Sequence, residues 1–369
     1  MTRITSTFLA LLALSATIFL RAAAAKDAEP AKQLQIYDGT VGPAAIVLAI
    51  ERDGDSVSGR YFYRSHRFNI ALDGEAKGGA LKLESQATGD KLELKPSGSG
   101  YEGKLTTAKS KTLPVRLRPL GADAASGFPA DLPGELDLYE KLRLSGLTLK
   151  PEKRETIDGK EIGWRIEPVS RIRLFRIEGG YPEPIMGAIN KTLTQIQWRN
   201  VSQYFDCPNG DGGAGMQTSQ EGAPYFSDAY VSFAFASAWD CAGAAHPDAG
   251  MEGHSFDART GKEIELDDVL KFGKGTPPAK DSDPWYEYRS NTFAPALVAL
   301  LERLHPKEMR KPKKEDGCDY TDKEVWSFPS WRLTEKGLYV GASFARAARV
   351  CDNPEWAVVP HADLAKQPH

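Results

Sequence analysis

Catalytic signatures are absent from this chain of 369 residues. It contains no C-x-x-C, no G-x-S-x-G, no H-E-x-x-H and no phosphate-binding P-loop, which excludes the redox, esterase, zinc-peptidase and nucleotidase sites built on those motifs. Residues 210–215 formally match the dinucleotide pattern G-x-G-x-x-G, but no helical pattern follows them, which favours a flexible loop. We therefore expect no catalytic residue and no cofactor.

An excess of charge of one sign is also absent. Lysine and arginine number 47 and aspartate and glutamate 50, so the chain exerts no long-range attraction on nucleic acid. Beyond the N-terminal segment, no stretch approaches the roughly 18 consecutive apolar residues of a membrane-spanning helix. We expect neither a nucleic-acid partner nor stable membrane insertion of the mature chain.

The N-terminal segment has the features of a secretory signal. Arg3 supplies a positive charge, residues 8–20 form an apolar run, and residues 22–25 offer a cleavage site of small residues. We predict a signal peptide over residues 1–25, cleaved after Ala25, and a periplasmic or secreted protein. An uncleaved N-terminal anchor is the alternative.

Cysteine is scarce and confined to the C-terminal half, at Cys207, Cys241, Cys318 and Cys351. An even number in an exported chain predicts two disulfides. Of the three possible pairings we favour Cys207–Cys241 with Cys318–Cys351, because each pair brackets neighbouring strands. Each bond would stabilise the fold by roughly 3–4 kcal/mol. A Cys/His metal site is the competing interpretation, but oxidation would compete with the metal, so we expect none.

Tryptophan is missing from the N-terminal part, where none precedes Trp164. Residues 26–120 contain short alternating apolar stretches separated by glycine-rich turns, and Asp53-Gly54 is typical of a tight hairpin. This pattern predicts an antiparallel β meander or small barrel over residues 26–120. Residues 121–138 begin with a stretch rich in proline, glycine and alanine that lacks periodicity, which predicts a linker.

Residues 139–369 contain all seven tryptophans, so we expect the larger core there. Tyr230–Trp239 alternates bulky and small side chains. It therefore predicts a strand with a bulky face towards a core and a small face that another element can approach closely. Apolar residues at helical spacing predict helices over residues 185–196 and 295–304, the second beginning with proline. These elements predict an antiparallel sheet packed with two helices, an α+β fold.

A series of short motifs in this region resembles the ectodomain of the RsiV-type anti-sigma factors, a domain also found beside peptidoglycan deacetylase domains. The resemblance implies an α+β fold and a capacity to bind lysozyme or cell-wall material, and it supplies no catalytic residue. One departure is plain, since Ala244 and Ala245 stand where a tighter Gly-Gly-Ala is usual. The motifs, in chain order, are Tyr181-Pro182, Ile189-Asn190, the Tyr230–Trp239 strand, Gly243-Ala-Ala-His-Pro247, Phe256-Asp257, Thr260-Gly-Lys262, Leu266-Asp-Asp-Val-Leu270, Trp331-Arg-Leu-Thr-Glu-Lys-Gly-Leu338 and Val359-Pro-His-Ala-Asp-Leu364.

The candidate binding residues are His246, Pro247, His254 and Asp257. Pro247 restricts the backbone of His246 and marks a turn at the end of a strand. The side chains of His246, Asp248, His254 and Asp257 lie within twelve residues of one another in the sequence. Their nitrogen and oxygen atoms are also potential metal ligands. The favoured interpretation is a histidine bonded to backbone at a turn, with a metal ligand and contact with a partner as the two alternatives. We expect no metal, and we name these residues as candidates for contact with a partner.

From the resemblance we expect an exported envelope binding protein that recognises lysozyme-like hydrolases or peptidoglycan fragments. The alternative is an envelope hydrolase that acts on glycan, with either a pair of carboxylates or a His246-centred site. A purely structural envelope protein, with the N-terminal sheet as its functional face, is a third interpretation.

Overall fold

The computed structural model describes residues 34–121, 126–313 and 317–366, which fold into a closed barrel, three further antiparallel sheets and six α-helices. This confirms the predicted α+β fold. The predicted signal peptide, residues 1–25, lies outside the described residues. Within those ranges, no helix combines the length and the apolar character needed to cross a membrane.

The N-terminal part is an eight-stranded antiparallel barrel, which confirms the predicted small barrel. Each strand pairs with the next along the chain, and β1 closes the sheet by pairing with β8. The Asp53-Gly54 turn joins the second and third strands, and Gly54 takes the positive φ of 60° that such a turn requires. The strands are β1 (Gln35–Val41), β2 (Ala44–Asp53), β3 (Ser56–Tyr63), β4 (Ile70–Lys77), β5 (Ala80–Glu84), β6 (Lys91–Ser97), β7 (Gly100–Thr106) and β8 (Thr112–Pro119).

Strand β2 is buried on both faces. Ile46, Leu48 and Ile50 point into the barrel, whose interior is filled by apolar side chains from all eight strands. Val47 points outwards and packs against Tyr139, in the segment that follows the barrel. Burial of a valine in this way contributes about 1.5–3 kcal/mol, so the following segment is part of the barrel's packing.

That segment contains the first helix, α1 (Leu138–Leu144). Asp137 caps it, because its side chain accepts a hydrogen bond from the Glu140 backbone N–H while the Glu140 carboxylate accepts one from the Asp137 N–H. Phe128 and Leu136, inside the predicted linker, pack against neighbouring apolar clusters. The segment therefore contributes to the core, and the predicted domain boundaries at residues 121 and 139 stay predictions.

The C-terminal region contains three sheets and the remaining helices. Its first sheet has β9 (Lys150–Ile157), β10 (Lys160–Ile166) and β11 (Arg173–Gly179), with β10 central. In the second sheet, β12 (Met216–Gln220), β13 (Tyr225–Phe226) and β15 (Asp248–Asp257) all pair with β14 (Tyr230–Trp239). The third has β16 (Ser330–Thr334), β17 (Gly337–Gly341) and β18 (Val358–Pro360), with β17 central. The helices are α2 (Glu183–Asp206), α3 (Leu266–Val269), α4 (Asp283–Tyr288), α5 (Ala294–Leu304) and α6 (His361–Leu364).

The two helices predicted from spacing are confirmed as α2 and α5. Helix α2 is longer than its apolar spacing indicated and supplies Ile189 and Leu193 to a core that it shares with the bulky face of β14. Phe233 and Phe235 project from that face and are almost fully buried. The bulky face thus has the core that the alternation predicted.

The small face of β14 and β15 receives the third sheet. The Leu333 backbone N–H of β16 donates to Ser232 Oγ at 2.9 Å. At Gly253, an added Cβ would lie 1.7 Å from the carbonyl oxygen of Trp331. Only small side chains permit this approach, which confirms the prediction for that face.

A buried arginine joins the barrel, α1 and α2. Arg143 is fully buried, and its Nη2 donates to Asp206 Oδ2 at 2.8 Å and to Ser202 Oγ at 2.9 Å. From the barrel, Arg67 donates to the backbone carbonyl of Arg143. The buried charge is paired and hydrogen-bonded, which is the condition under which burial of a guanidinium is tolerated.

Candidate functional site

A cleft of about 800 Å³ lies between the second and third sheets of the C-terminal region. Its floor is the part of the small face that β16 does not cover, where Ala236, Ala238 and Ala249 project. Larger side chains at these positions would fill the space. A volume of this size is typical of ligand sites in proteins.

The opposite wall of the cleft comes from one face of the third sheet. Arg332, Tyr339 and Val358 are register partners on β16, β17 and β18, so all three project from the same face. The Arg332 guanidinium lies 5.6 Å from the centre of the Tyr339 ring and donates to the Glu221 carbonyl at 2.6 Å. Burial raises the pKa of Tyr339 above its ordinary value, which already lies well above neutral pH. This wall therefore offers aromatic and cationic contacts.

A 3-10 helical segment, Arg346–Cys351, closes one end of the cleft. Arg349 donates to Asp248 Oδ1 at 3.1 Å and to Asp352 Oδ2 at 2.9 Å. The Ala249 backbone N–H, together with Arg349, lowers the pKa of Asp248, and the bonds to Asp352 and Asp248 raise the pKa of Arg349. These charges fix the segment against the first residue of β15.

Two loops, residues 243–247 and 345–350, form what we call the rim of the cleft. They touch directly, because Arg346 donates to the carbonyl of Pro247. Val350 in the second loop is 92% exposed, an unusual environment for a branched apolar side chain. The rim thus presents apolar surface on a backbone that is held from several sides.

Each loop of the rim lies beside a disulfide. Cys207 at the end of α2 is bonded to Cys241 just after β14, with a Cα–Cα distance of 4.8 Å. Cys318 is bonded to Cys351 at 5.5 Å. This is the pairing that the strand order favoured. Both distances are ordinary for disulfides, and the bonds brace the rim from two sides.

The predicted binding residues fall into two places. His246 and Pro247 are exposed on the rim. His254 and Asp257 lie towards the other end of β15, and the six residue steps of extended strand from Asp248 to His254 span on the order of 20 Å. The structure therefore places Pro247 against the segment that closes one end of the cleft, with His246 beside it, although neither lines the cleft, and it leaves the other two away from it.

His254 and Asp257 both have local structural partners. His254 is 5% exposed, stacks on Phe233 with ring centres 5.1 Å apart, and its Nδ1 lies 2.7 Å from Glu263 Oε1. Asp257 accepts from Arg259 Nη2 at 2.8 Å and caps the turn that follows β15. Their place in the sequence motif is accounted for by packing and turn formation.

The histidines and aspartates that the sequence suggested as metal ligands, His246, Asp248, His254 and Asp257, do not lie together in the structure. Among residues 34–121, 126–313 and 317–366, no three histidine, cysteine, aspartate or glutamate side chains lie close enough together to hold a metal ion. Asp248 instead faces Arg349, and His254 faces Glu263. The described geometry thus gives no support to a His246-centred metal site.

Sequence reasoning missed the wall of the cleft. Arg332, Tyr339 and Arg349 are far from the motif loop along the chain, and only the pairing of β16 with β17 places the first two side by side. Two signals were available. The small residues on one face of β14 indicated a face that its neighbours leave partly open, and Arg332 belongs to the motif that begins at Trp331, although it was not among the candidate binding residues. A comparison of the sequence with protein-family models and with curated proteins gives no match.

Proposed function

We propose that this chain is an exported envelope binding protein, periplasmic or secreted, whose cleft receives a peptidoglycan fragment. The observation that carries the proposal is a preformed cleft with a floor of alanines and a wall that offers Arg332 and Tyr339. Most of the residues that line the cleft are polar or charged, which suits a hydrophilic ligand, and fixed polar groups in a concave site set the orientation of what binds there. Because the backbone around it is braced, little conformational entropy is lost on binding.

The disulfides support the compartment in this proposal. Disulfides persist in oxidising environments such as the periplasm and the extracellular space, and are rare in reducing ones. Cys207–Cys241 and Cys318–Cys351 both lie in the region that forms the cleft. The two disulfides are therefore expected to stabilise the folded state of the region that forms the cleft.

A lysozyme-like hydrolase is the second candidate ligand, and the rim is the observation that favours it. An almost fully exposed Val350 on a rigid loop, next to His246 and Pro247, has the character of an anchor for a protein interface. In this case the rim would make the main contacts. The cleft would then be a secondary contact or remain unused.

Calorimetric titration of the oxidised protein with soluble peptidoglycan fragments and with a panel of lysozymes tests both candidates. Ala238→Trp fills the cleft, and Ala71→Trp places the same side chain on an exposed strand position of the barrel as its control. Val350→Asp changes the rim, and Val169→Asp is its control at another exposed valine.

Loss of fragment binding in Ala238→Trp alone would support the cleft, whereas loss of lysozyme binding in Val350→Asp alone would support the rim. If both ligands bind the four variants as they bind the parent protein, both assignments are wrong. The absence of heat with every ligand would contradict the binding function as a whole.

A hydrolase acting on glycan is the alternative activity. The exposed carboxylates of Glu221, Glu335 and Glu355 line the cleft, and glycosidases use two carboxylates placed across the scissile bond. Incubation with peptidoglycan followed by measurement of released reducing ends tests it. Activity that disappears in Glu335→Gln or Glu355→Gln would establish an enzyme, and intact peptidoglycan would exclude this activity for that substrate.

A further inference from the structure

Charged side chains of both signs line the cleft without pairing with each other. The carboxylates are those of Glu221, Glu335 and Glu355, and the cations are Arg332 and Lys336. Within the part of the chain that the structure describes, none of the five takes part in an ion pair. The cleft therefore keeps charges of both signs available to a ligand.

The charged groups at the closed end of the cleft differ from these. Arg349 is bonded there to Asp248 at 3.1 Å and to Asp352 at 2.9 Å, so these charges neutralise one another and hold the segment in place. Pairing is thus found where the backbone is fixed, and the unpaired charges lie along the rest of the cleft.

Charges of both signs also meet at Tyr339. Burial raises the pKa of its hydroxyl, Arg332 acts against this rise, and Glu221 and Glu355 add to it. The guanidinium and both carboxylates therefore lie close enough to act on the same hydroxyl. A ligand bound at this point would meet a cation and two carboxylates together.

Arg332 is held on one side and open on the other. Its Nη1 donates to the Glu221 carbonyl at 2.6 Å, and its Nε is buried. Its Nη2 is neither buried nor bonded to any of the described residues, so it remains a donor for a ligand. A guanidinium suits a carboxylate, which accepts charge-assisted hydrogen bonds from it.

The aromatic surface in the cleft is too small to stack on a sugar ring. Tyr339 is the one aromatic side chain among the described residues that line the cleft, and it is 7% exposed. The guanidinium of Arg332 lies over this ring. Because a sugar ring stacks on an exposed aromatic face, this wall favours a charged group of the ligand over its sugar.

The floor of the cleft offers hydrogen-bonding groups. Gln217 and Ser219 of β12 are register partners of Ala238 and Ala236 on β14, so their side chains project from the same face as the alanines. Both are exposed, and neither side chain is hydrogen-bonded to another described residue. An amide and a hydroxyl in these positions can bond to the amide groups of an extended peptide.

We propose that the cleft receives the peptide part of a peptidoglycan fragment and binds an amino-acid centre that carries an ammonium and a carboxylate on one carbon. The carboxylate would accept from Arg332, and the ammonium would lie near Glu221 and Glu355. A purely anionic ligand would meet the carboxylates and a purely cationic one would meet the cations, whereas a zwitterionic group matches both. This inference rests on the proposed function and specifies which part of the fragment is recognised.

Calorimetric titration of the oxidised full chain with four probes tests the proposal. The first is acetyl-L-Ala-γ-D-Glu-meso-diaminopimelate, whose last residue ends in a free ammonium and a free carboxylate on the same carbon. In the second probe that ammonium is acetylated, and in the third that carboxylate is amidated. The fourth is the disaccharide of N-acetylglucosamine and N-acetylmuramic acid. We expect the first to bind, the second and third to bind about two- to fivefold more weakly, and the disaccharide not to bind.

Variants assign each charge of the ligand to a side chain. When Glu221→Gln and Glu355→Gln are combined, the acetylated and unmodified peptides should bind equally, because the partners of the ammonium are lost. In Arg332→Gln the amidated and unmodified peptides should become equal. Glu75→Gln and Lys82→Gln, at exposed charges of the barrel, are the matched controls and should keep both differences. Thermal unfolding checks each fold, and the two exposed glutamates test the proposal even if Arg332→Gln unfolds.

Equal binding of the unmodified, acetylated and amidated peptides would overturn the proposal, because the zwitterionic centre would then not be recognised. Binding of the disaccharide but of no peptide would also overturn it and would assign the cleft to the glycan. If complete fragments bind, Ala238→Trp abolishes that binding and no peptide binds, this inference alone fails. If neither complete fragments nor peptides bind, the proposed function fails with it.

Discussion

The barrel and the C-terminal region differ in how their sheets end. In the barrel every strand has two neighbours, because β1 pairs with β8, and the concave side is filled by the barrel's own core. In the C-terminal region, three open sheets meet through α2 and through the close contact at Gly253. A closed sheet uses its interior for stability, whereas open sheets that meet along one side leave a cleft beside the contact.

The two regions also differ in what reinforces them. The barrel contains no cysteine and no tryptophan, while the C-terminal region contains both disulfides and all seven tryptophans. Backbone pairing around a full circle needs no covalent support. Open edges beside a cleft lack that closure, and there the chain carries both disulfides.

Removal of the disulfides should have the largest effect and should separate the two regions. Replacement of all four cysteines by serine is expected to destabilise the C-terminal region by roughly 3–4 kcal/mol per disulfide, because each closes a loop with a sequence separation of 33 or 34 residues. Urea unfolding followed by tryptophan fluorescence reports this region alone, since the barrel has no tryptophan.

Resonances of the barrel amides, followed in the same titration, provide the comparison. They should keep their midpoint while the fluorescence midpoint falls. If both midpoints fall together, the contacts of Arg143 with Arg67 and Asp206 couple the regions more strongly than the disulfides stabilise either one.

A substitution at the contact between the open sheets should have an intermediate effect. Gly253→Ala places a Cβ against the Trp331 carbonyl, so β15 and β16 must move apart, with an expected loss of about 1–3 kcal/mol. Gly187→Ala, at an exposed position in the second turn of α2 with no atom within 4 Å of the new Cβ, should instead add about 0.5–1 kcal/mol. Urea midpoints measured by tryptophan fluorescence compare them. Equal midpoints for the two variants would show that the sheets do not depend on close approach.

Protonation of Asp248 should have the smallest effect, and its consequences should be confined to the rim. The pKa of Asp248 lies below its ordinary value of about 3.9, so its contribution to the folded state is complete above that pH and is lost as pH falls through the lower, folded-state pKa. The amide resonance of Ala249, whose N–H donates to Asp248, should report this titration. A midpoint at or above 3.9, or the same titration in Asp248→Asn, would contradict the assignment.

Much of the fold could be predicted because its signals are local. The Asp53-Gly54 turn, the alternation of β14 and the apolar spacing of α2 each lie within one element. Burial of the outer face of β2 was harder to predict, although the run from Ile46 to Ile50 contains no polar residue. Such a run indicates burial on both faces, but nothing in the sequence identifies Tyr139 as its cover.

The candidate site was predicted less well because it depends on contacts between distant segments. His246 and His254 look equivalent in the sequence, yet one is exposed on the rim and the other is packed on Phe233. Arg332 and Tyr339 become neighbours only through the register of β16 and β17. Periodicity shows which face of a strand is buried, but it does not show which other strand that face will meet.

The order of the cysteines has a consequence for how the chain matures. Cys207 pairs with Cys241 and Cys318 with Cys351, so each cysteine joins its immediate neighbour along the sequence. When the chain appears with its N-terminus first, Cys207 and Cys241 become available for oxidation before Cys318 and Cys351. All eight barrel strands precede both pairs along the chain. Oxidation in the order of emergence therefore gives the native connectivity directly. An oxidant of thiols suffices for this step, without an isomerase to reshuffle mispaired bonds.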